Sequence, residues 1–219
     1  MDSVLLNGAD LTAAHDTYDD FAELAAHETE GVDWTRELRP APGSDLAHIA
    51  IHGGGIEVGT TEAANAAAGD SHNYYSFRGR KKTSTNRVLH ITSSHFDEPR
   101  CVALQNSMVR TVSWHGFHST TKITEVGGLD EQFKLWVKRS LQHAGFTVID
   151  AAAERAGRNP TNICNRNLSG YGVQLELSTA QRAAFFRDGD TSAANRQHTT
   201  EEFSRYIEAV QVAYRRLRA

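Results

Sequence analysis

The sequence predicts an α/β fold, a three-layer α/β/α sandwich around a mixed, mostly parallel central sheet. Short apolar runs of strand character alternate with longer segments of helical periodicity, the rhythm of a sheet covered on both faces. One of those runs, residues 46–51, stops at Gly53-Gly54-Gly55. A strand that ends in three glycines must turn sharply, because only glycine accepts the full range of backbone angles without steric cost. The chain has 219 residues, 23% of them charged. That length lies within the range of one α/β domain and suffices for a core without disulfide support, so a single domain over residues 1–219 is expected.

The elements follow in order. Residues 18 to about 28 form a first helix, with Phe21, Leu24 and Ala25 on one face. Pro40-Ala41-Pro42-Gly43 is a turn before the first core strand, 46–51. Residues 60–68 read as a helix of small side chains with a threonine cap and Gly69 as its stop. Three apolar runs, 88–91, 101–104 and 109–114, are expected as strands. Residues 130–143 form an amphipathic helix with Asp130 as N-cap, Phe133, Trp136, Val137 and Leu141 as its stripe, and Gly145 as its stop. Strands at 146–149 and 172–177 come next. A helix from about residue 200 to 217, with Phe203, Ile207, Val210 and Tyr214 on one face, ends the chain.

The bulk numbers exclude several classes of protein. The formal net charge of −4 argues against a protein that coats nucleic acid or an anionic membrane. No apolar stretch approaches the ~18 residues of a membrane span. Residues 1–7 show no basic region before an apolar one, so no secretory signal is expected. The two cysteines, Cys101 and Cys164, are expected as buried free thiols.

Ligand-type residues gather at strand ends. His52 and Glu57 flank the glycine turn, His115 follows the strand 109–114, and Glu176 sits inside the apolar run 172–177. In open α/β sheets the carboxyl edge of the strands is where ligands bind. Two histidines and a glutamate leave a fourth zinc position open, the composition of a hydrolytic site. The five-residue separation of His52 and Glu57 is not the one-face spacing of a helical His-Glu-x-x-His site, so the glycines must bring the two together. On residues alone a plainer reading stays open: a polar histidine after a strand, a turn before a helix, and a solvent-facing Glu176.

Longer blocks carry a resemblance. Phe21-Ala22-Glu23-Leu24, Glu30-Gly31-Val32-Asp33, Ile51 to Glu57, Gly59-Thr60-Thr61-Glu62, Tyr75-Ser76-Phe77 with Gly79, His90 to Pro99, Asn162 to Arg166 and Gly172 to Ser178 occur in a consistent order over residues 18–182. This pattern resembles the phage and bacterial poly-γ-glutamate hydrolases, a family similar in fold to the zinc carboxypeptidases. The resemblance implies one Zn²⁺ per chain on His52, Glu57 and His115, with Glu176 as general base. It departs from the carboxypeptidases in having two more residues between His52 and Glu57. The implied reaction is hydrolysis of γ-glutamyl isopeptide bonds by metal-activated water. Each unit of such an anionic polymer carries a free α-carboxylate, so cationic donors are expected. Arg166 is the first candidate because guanidinium groups grip carboxylates bidentately; Asn165 is expected to orient the scissile carbonyl, and Arg182 is a second cation. The run Arg78-Gly79-Arg80-Lys81-Lys82 offers steering of an anionic polymer, Asp97 a hold on a ligand imidazole, and His118 a spare ligand. Two alternatives remain: a zinc amidohydrolase acting on γ-glutamyl links of cell-wall peptides, and a phage-associated nucleic-acid-binding protein that is not an enzyme. A monomer is expected, with no nucleic-acid or membrane partner, either cytoplasmic or released when a phage lyses its host.

Overall fold

The structure, a computed structural model, describes residues 16–219. The reading of residues 1–7 lies outside the described residues. Seven strands form one sheet in the order β1-β3-β2-β4-β7-β5-β6. They are β1 (Trp34–Arg39), β2 (Leu46–Gly54), β3 (Asn73–Gly79), β4 (Arg110–Phe117), β5 (Thr124–Gly128), β6 (Val148–Asp150) and β7 (Val173–Ser178). Four of the neighbouring pairs, β2–β3, β2–β4, β4–β7 and β5–β6, are parallel; β1–β3 and β5–β7 are antiparallel. The sheet is therefore mixed and mostly parallel, as the alternation of elements implies.

Among the described residues six α-helices accompany it: α1 (Phe21–His27), α2 (Thr60–Ala68), α3 (Pro99–Gln105), α4 (Glu131–His143), α5 (Thr179–Ala184) and α6 (Glu201–Leu217). Two separate apolar clusters give the three layers. Leu46, Ala50, Tyr74, Val112, Trp114 and Leu175 pack with the small residues of α2 and the stripes of α4 and α6. Ala47, Ile49, Ile51, Tyr75 and Phe77 pack on the other side with Phe21, Leu24, Cys101 and Leu104. Successive residues of β2 thus serve opposite faces, the period-two rule of a strand buried on both sides. Both cysteines are free and buried, as expected.

Three local expectations are corrected. Residues 88–91 are not a strand: a 3₁₀ segment, Thr83–Leu89, ends inside them, and residues 90–91 continue as irregular chain. Residues 101–104 belong to helix α3, whose first turn holds Pro99 and whose N-cap, Glu98, accepts the Cys101 N–H. Helix α2 has no threonine cap. Its N-cap is Gly59 at φ 98°, a left-handed conformation that disfavours a side chain. The other boundaries are close. Asp130 caps α4 by accepting from the Phe133 N–H, and Thr200 caps α6 by accepting from the Phe203 N–H.

Candidate metal centre at the carboxyl edge of the sheet

Strands β2, β4 and β7 are parallel neighbours, so their carboxyl ends lie side by side. On β4, Val112 and Trp114 face the α4–α6 core, which turns Ser113 and His115 the other way. On β7, Val173, Leu175 and Leu177 do the same and leave Gln174 and Glu176 beside them. His115 and Glu176 are registered partners across the two strands. The parity of Leu46 and Ala50 would send His52 to the opposite face. A register shift prevents this: β2 advances three residues from Ala50 to Gly53 while β3 advances two, from Ser76 to Arg78. One extra residue re-aims the side chain that follows it.

The glycines then bring Glu57 back. A Cβ on Gly53 would lie 2.2 Å from Thr61 Oγ1 and 2.8 Å from the Phe77 carbonyl oxygen, and Gly54 has φ 66°. The turn places Glu57 Oε1 3.1 Å from His52 Nδ1 and Glu57 Oε2 3.5 Å from His115 Nδ1. The two Nδ1 atoms are 3.2 Å apart. The Gly116 N–H donates to Glu57 Oε2 at 2.9 Å.

This donor set fits a tetrahedral cation. Donors about 2.0–2.1 Å from one zinc ion lie about 3.3 Å from each other, close to all three separations here. His52 Nε2 is 2.8 Å from the Ile91 carbonyl, which can only accept, so the ring proton of a neutral His52 sits on Nε2 and Nδ1 presents its lone pair. His115 Nε2 is likewise engaged by Ser113 Oγ at 2.8 Å. Fixing the far nitrogen in this way is how metal-binding imidazoles are usually held. A third imidazole lies close by. His90 stacks on His52 with ring centroids 3.9 Å apart, its Nδ1 is 2.6 Å from Asp16 Oδ1, and it can join His52 and Glu57 in a group whose ligand atoms lie within 4.8 Å of one another. His115 Nδ1 lies 3.5 Å from Glu57 and His90 Nε2 lies 4.0 Å from it, so His115 matches the tetrahedral spacing to the carboxylate better.

Electrostatics express the same crowding. Burial opposes charge on Glu57, yet His52 and the hydrogen bonds from both imidazoles hold its carboxyl well below the usual carboxylate range. Burial also opposes protonation of His52, but Glu57 outweighs it and raises that ring. His115 stays below the ordinary histidine value because burial prevails over Glu57. Burial, with His52 close by, lowers His90 to about 4. Glu176 moves the other way. Burial raises its carboxyl well above the ordinary value and Glu57 adds to this, while the Gln174 amide and Arg155 oppose it. A cation bound among these groups would favour the neutral imidazoles and both carboxylates.

A cavity of about 590 Å³ opens over the cluster, lined by His52, Glu57, His90, His115 and Glu176 among others. Gln174 positions Glu176 by donating to Oε1 at 2.9 Å, and is itself tied to the Arg155 carbonyl and the Asn162 amide. Arg155 lines the cavity too. Glu125, the registered partner of Glu176 on β5, accepts from its Nε and Nη2 at 3.0 and 2.9 Å, and its guanidinium lies 4.7 Å from the centroid of the Phe117 ring.

The three candidate substrate residues are not among those that line this cavity. Asn165 is buried, donating to the Gly157 and Asn159 carbonyls and accepting from the Gly172 N–H. Arg166 donates to the Phe96 carbonyl. Arg182 lies behind the site, bonded to the Leu177, Val58 and Phe117 carbonyls. Asp97 does not hold an imidazole; it accepts the Phe21 N–H, and Asp16 is the acid that meets His90. His118 lines the cavity. Sequence reading assigned no role to His90, Asp16, Gln174 or Arg155. Only the alternation that puts Gln174 on the face of Glu176 could have indicated one of them.

The chain is similar to several known proteins. Residues 18–209 match the family described as poly-gamma-glutamate hydrolase. The UPF0714 protein YndL of Bacillus subtilis (strain 168) is 37% identical over 210 residues, 94% of this chain and 79% of that protein. The SPbeta prophage-derived UPF0714 protein YoqZ of the same organism is 38% identical over 79% of this chain and 62% of its own length. Among solved structures, a bacteriophage poly-gamma-glutamate hydrolase superimposes with a TM-score of 0.89 at 39% identity, covering 92% of this chain and 98% of that one. A zinc-free (apo) YndL structure gives a TM-score of 0.85 at 35% identity with the same coverage.

Proposed function

Because the chain belongs to the poly-γ-glutamate hydrolase family, we propose that His52, Glu57 and His115 hold one zinc ion and that Glu176 is the general base for hydrolysis of γ-glutamyl amide bonds. The observation that carries this reading is the approach of two imidazole Nδ1 atoms and one carboxylate to within 3.1–3.5 Å of each other, with a buried carboxyl on the adjacent registered position. When bound, zinc supplies a Lewis acid that brings the pKa of water towards neutrality and polarises the scissile carbonyl.

The protein's own groups supply the rest. Glu176 accepts the proton of the attacking water and returns it to the departing amine, so the amide is cleaved to a carboxylate and an amine with no net change at the residue. Its burial suits that exchange, because desolvation moves a carboxyl towards neutrality and a base works best when its pKa approaches the operating pH. Gln174 fixes the carboxylate between the two transfers. Arg155, clamped by Glu125, presents its remaining donors to the α-carboxylate of a bound unit, and Arg87 and Arg158 line the same cavity. Arg182 then supports the floor of the site instead of touching substrate. The substrate is the anionic γ-linked polymer, met by a monomer that is cytoplasmic or released at phage lysis. Membership of a hydrolase family leaves no ground for the non-enzymatic nucleic-acid reading.

Purified protein should release shorter oligomers from poly-γ-glutamate, lose that activity on chelation and regain it with zinc. His52→Ala or His115→Ala should remove zinc and turnover together. Undiminished cleavage by protein stripped of all metal would overturn the assignment, and cleavage of cell-wall γ-glutamyl peptides but not of the homopolymer would move it to the other substrate.

A further inference from the structure

The glycine turn has a second side. His52 and Glu57 face the catalytic cavity, while Gly54, Gly55 and Val58 line a separate cavity of about 790 Å³. The segment after β3 is divided in the same way: Arg87 and His90 line the catalytic cavity, Lys81 and Asn86 the other. The two cavities therefore stand back to back across residues 52–58 and 81–90.

Among the described residues, every charged one lining the second cavity is a cation: Arg78, Arg80, Lys81 and Arg196. Four positive side chains converge on one concavity in a chain whose formal net charge is −4. Two are partly committed to the fold. Arg196 donates to the Gly54 carbonyl at 2.9 Å and meets Glu62, and Lys81 pairs with Glu28 and Asp33. The other two keep donors free. Arg78 makes a single exposed pair with Glu37, and Arg80 donates from Nη1 to the Gly31 carbonyl at 3.0 Å. The cavity also holds an unmatched acceptor. Asn86 is 2% exposed, its amide nitrogen donates to the Lys81 carbonyl, and its Oδ1 has no partner. Guanidinium donors beside a spare amide acceptor match a chain that alternates carboxylates with amide N–H groups.

We propose that this basic cavity is a second binding site for the polyanionic substrate, holding a stretch of the γ-linked polymer beyond the units in the catalytic cavity. The site rests on the function proposed above. It binds through carboxylate charge and contributes affinity in proportion to polymer length, because a chain held at one site raises its effective concentration at the other. A surface of this kind weakens as salt is added.

The test is the double variant Arg78→Ala, Arg80→Ala, assayed on long polymer and on oligomers short enough to fill only the catalytic cavity. The KM for long polymer should rise roughly tenfold at low salt, with kcat unchanged and short-oligomer kinetics unaltered. The difference should vanish at high salt, and the double lysine variant should retain most of the affinity. An unchanged KM on long polymer overturns the proposal. So does an equal rise on short oligomers, which would mean damage to the catalytic cavity. Polymer binding is also measured directly, with zinc-loaded Glu176→Gln, and tighter competition by duplex DNA than by poly-γ-glutamate would reassign the site to nucleic acid. If the wild type cleaves neither long nor short γ-glutamyl substrate, the proposed function fails, and the binding measurement still decides whether the basic cavity holds the polymer.

Discussion

The proposed base, Glu176, can be tested apart from the proposed metal ligands. Glu176→Gln keeps the side-chain volume and loses the basicity, so kcat should fall by about 10²–10⁴-fold while zinc content stays at the wild-type level. A variant that lost zinc in step with activity would make Glu176 part of the metal site. A different residue contributes to acid stability. His48 is fully buried and accepts a hydrogen bond from Trp114 Nε1 on Nδ1 at 3.2 Å, while its Nε2 has no partner. Burial, with His72 adding to it, lowers this imidazole to about 3 against an ordinary 6.5. Between those values the unfolded chain binds a proton that the folded chain refuses. The contribution is fully present above pH 6.5 and is lost as pH falls towards 3. At about 1.4 kcal/mol per pH unit the loss amounts to several kcal/mol. Denaturant midpoints for wild type and His48→Leu, compared near neutrality and near pH 4, should show a shallower acid slope in the variant. Equal slopes would remove His48 from the account.

The site exists because β2 carries a bulge and then a glycine turn. Gly53→Ala would drive a methyl against Thr61, Ser76 and the Phe77 carbonyl. The carbonyl cannot rotate away, so a loss of about 1–3 kcal/mol is expected, read by thermal melting. Zinc content should fall as well, because displacement of the turn moves Glu57. The elements that carry this site were readable from sequence because their signals are local. Alternation on β4 and β7, three successive glycines and the caps of α4 and α6 all lie within one element. What escaped depends on contacts between elements. Residues 101–104 have strand-like composition, but Glu98 caps them as helix, and Cys101 and Leu104 sit three apart on one buried face. β1 places charged Arg36, Glu37 and Arg39 in an edge strand and so gives a weak apolar pattern. The Arg155 clamp joins residues thirty positions apart and becomes visible only once β5 pairs antiparallel with β7. Arg166 and Arg182 have the right chemistry for a carboxylate, but a sequence does not tell which arginines already serve backbone carbonyls.

At the scale of the whole molecule, the proposed zinc would link metal binding to folding, since its proposed ligands come from β2, the turn after it and β4. Ligand that binds only the folded chain stabilises it by mass action, by about 4 kcal/mol at a thousandfold excess over the dissociation constant. Zinc should therefore raise the melting temperature, chelation should reverse the rise, and His115→Ala should abolish it. A melting temperature indifferent to zinc in the wild type would argue against a preformed centre. The two margins of the sheet carry a further consequence. β6 has three residues, and β1 carries the charged residues Arg36, Glu37 and Arg39, with Arg36 bonded to Glu30 and Glu98. A stub at one border and a charged ribbon at the other give an incoming strand nothing flat and apolar to add to. Among the described residues, copies crowded together at high concentration therefore meet no flat apolar template at either margin for stacking edge to edge.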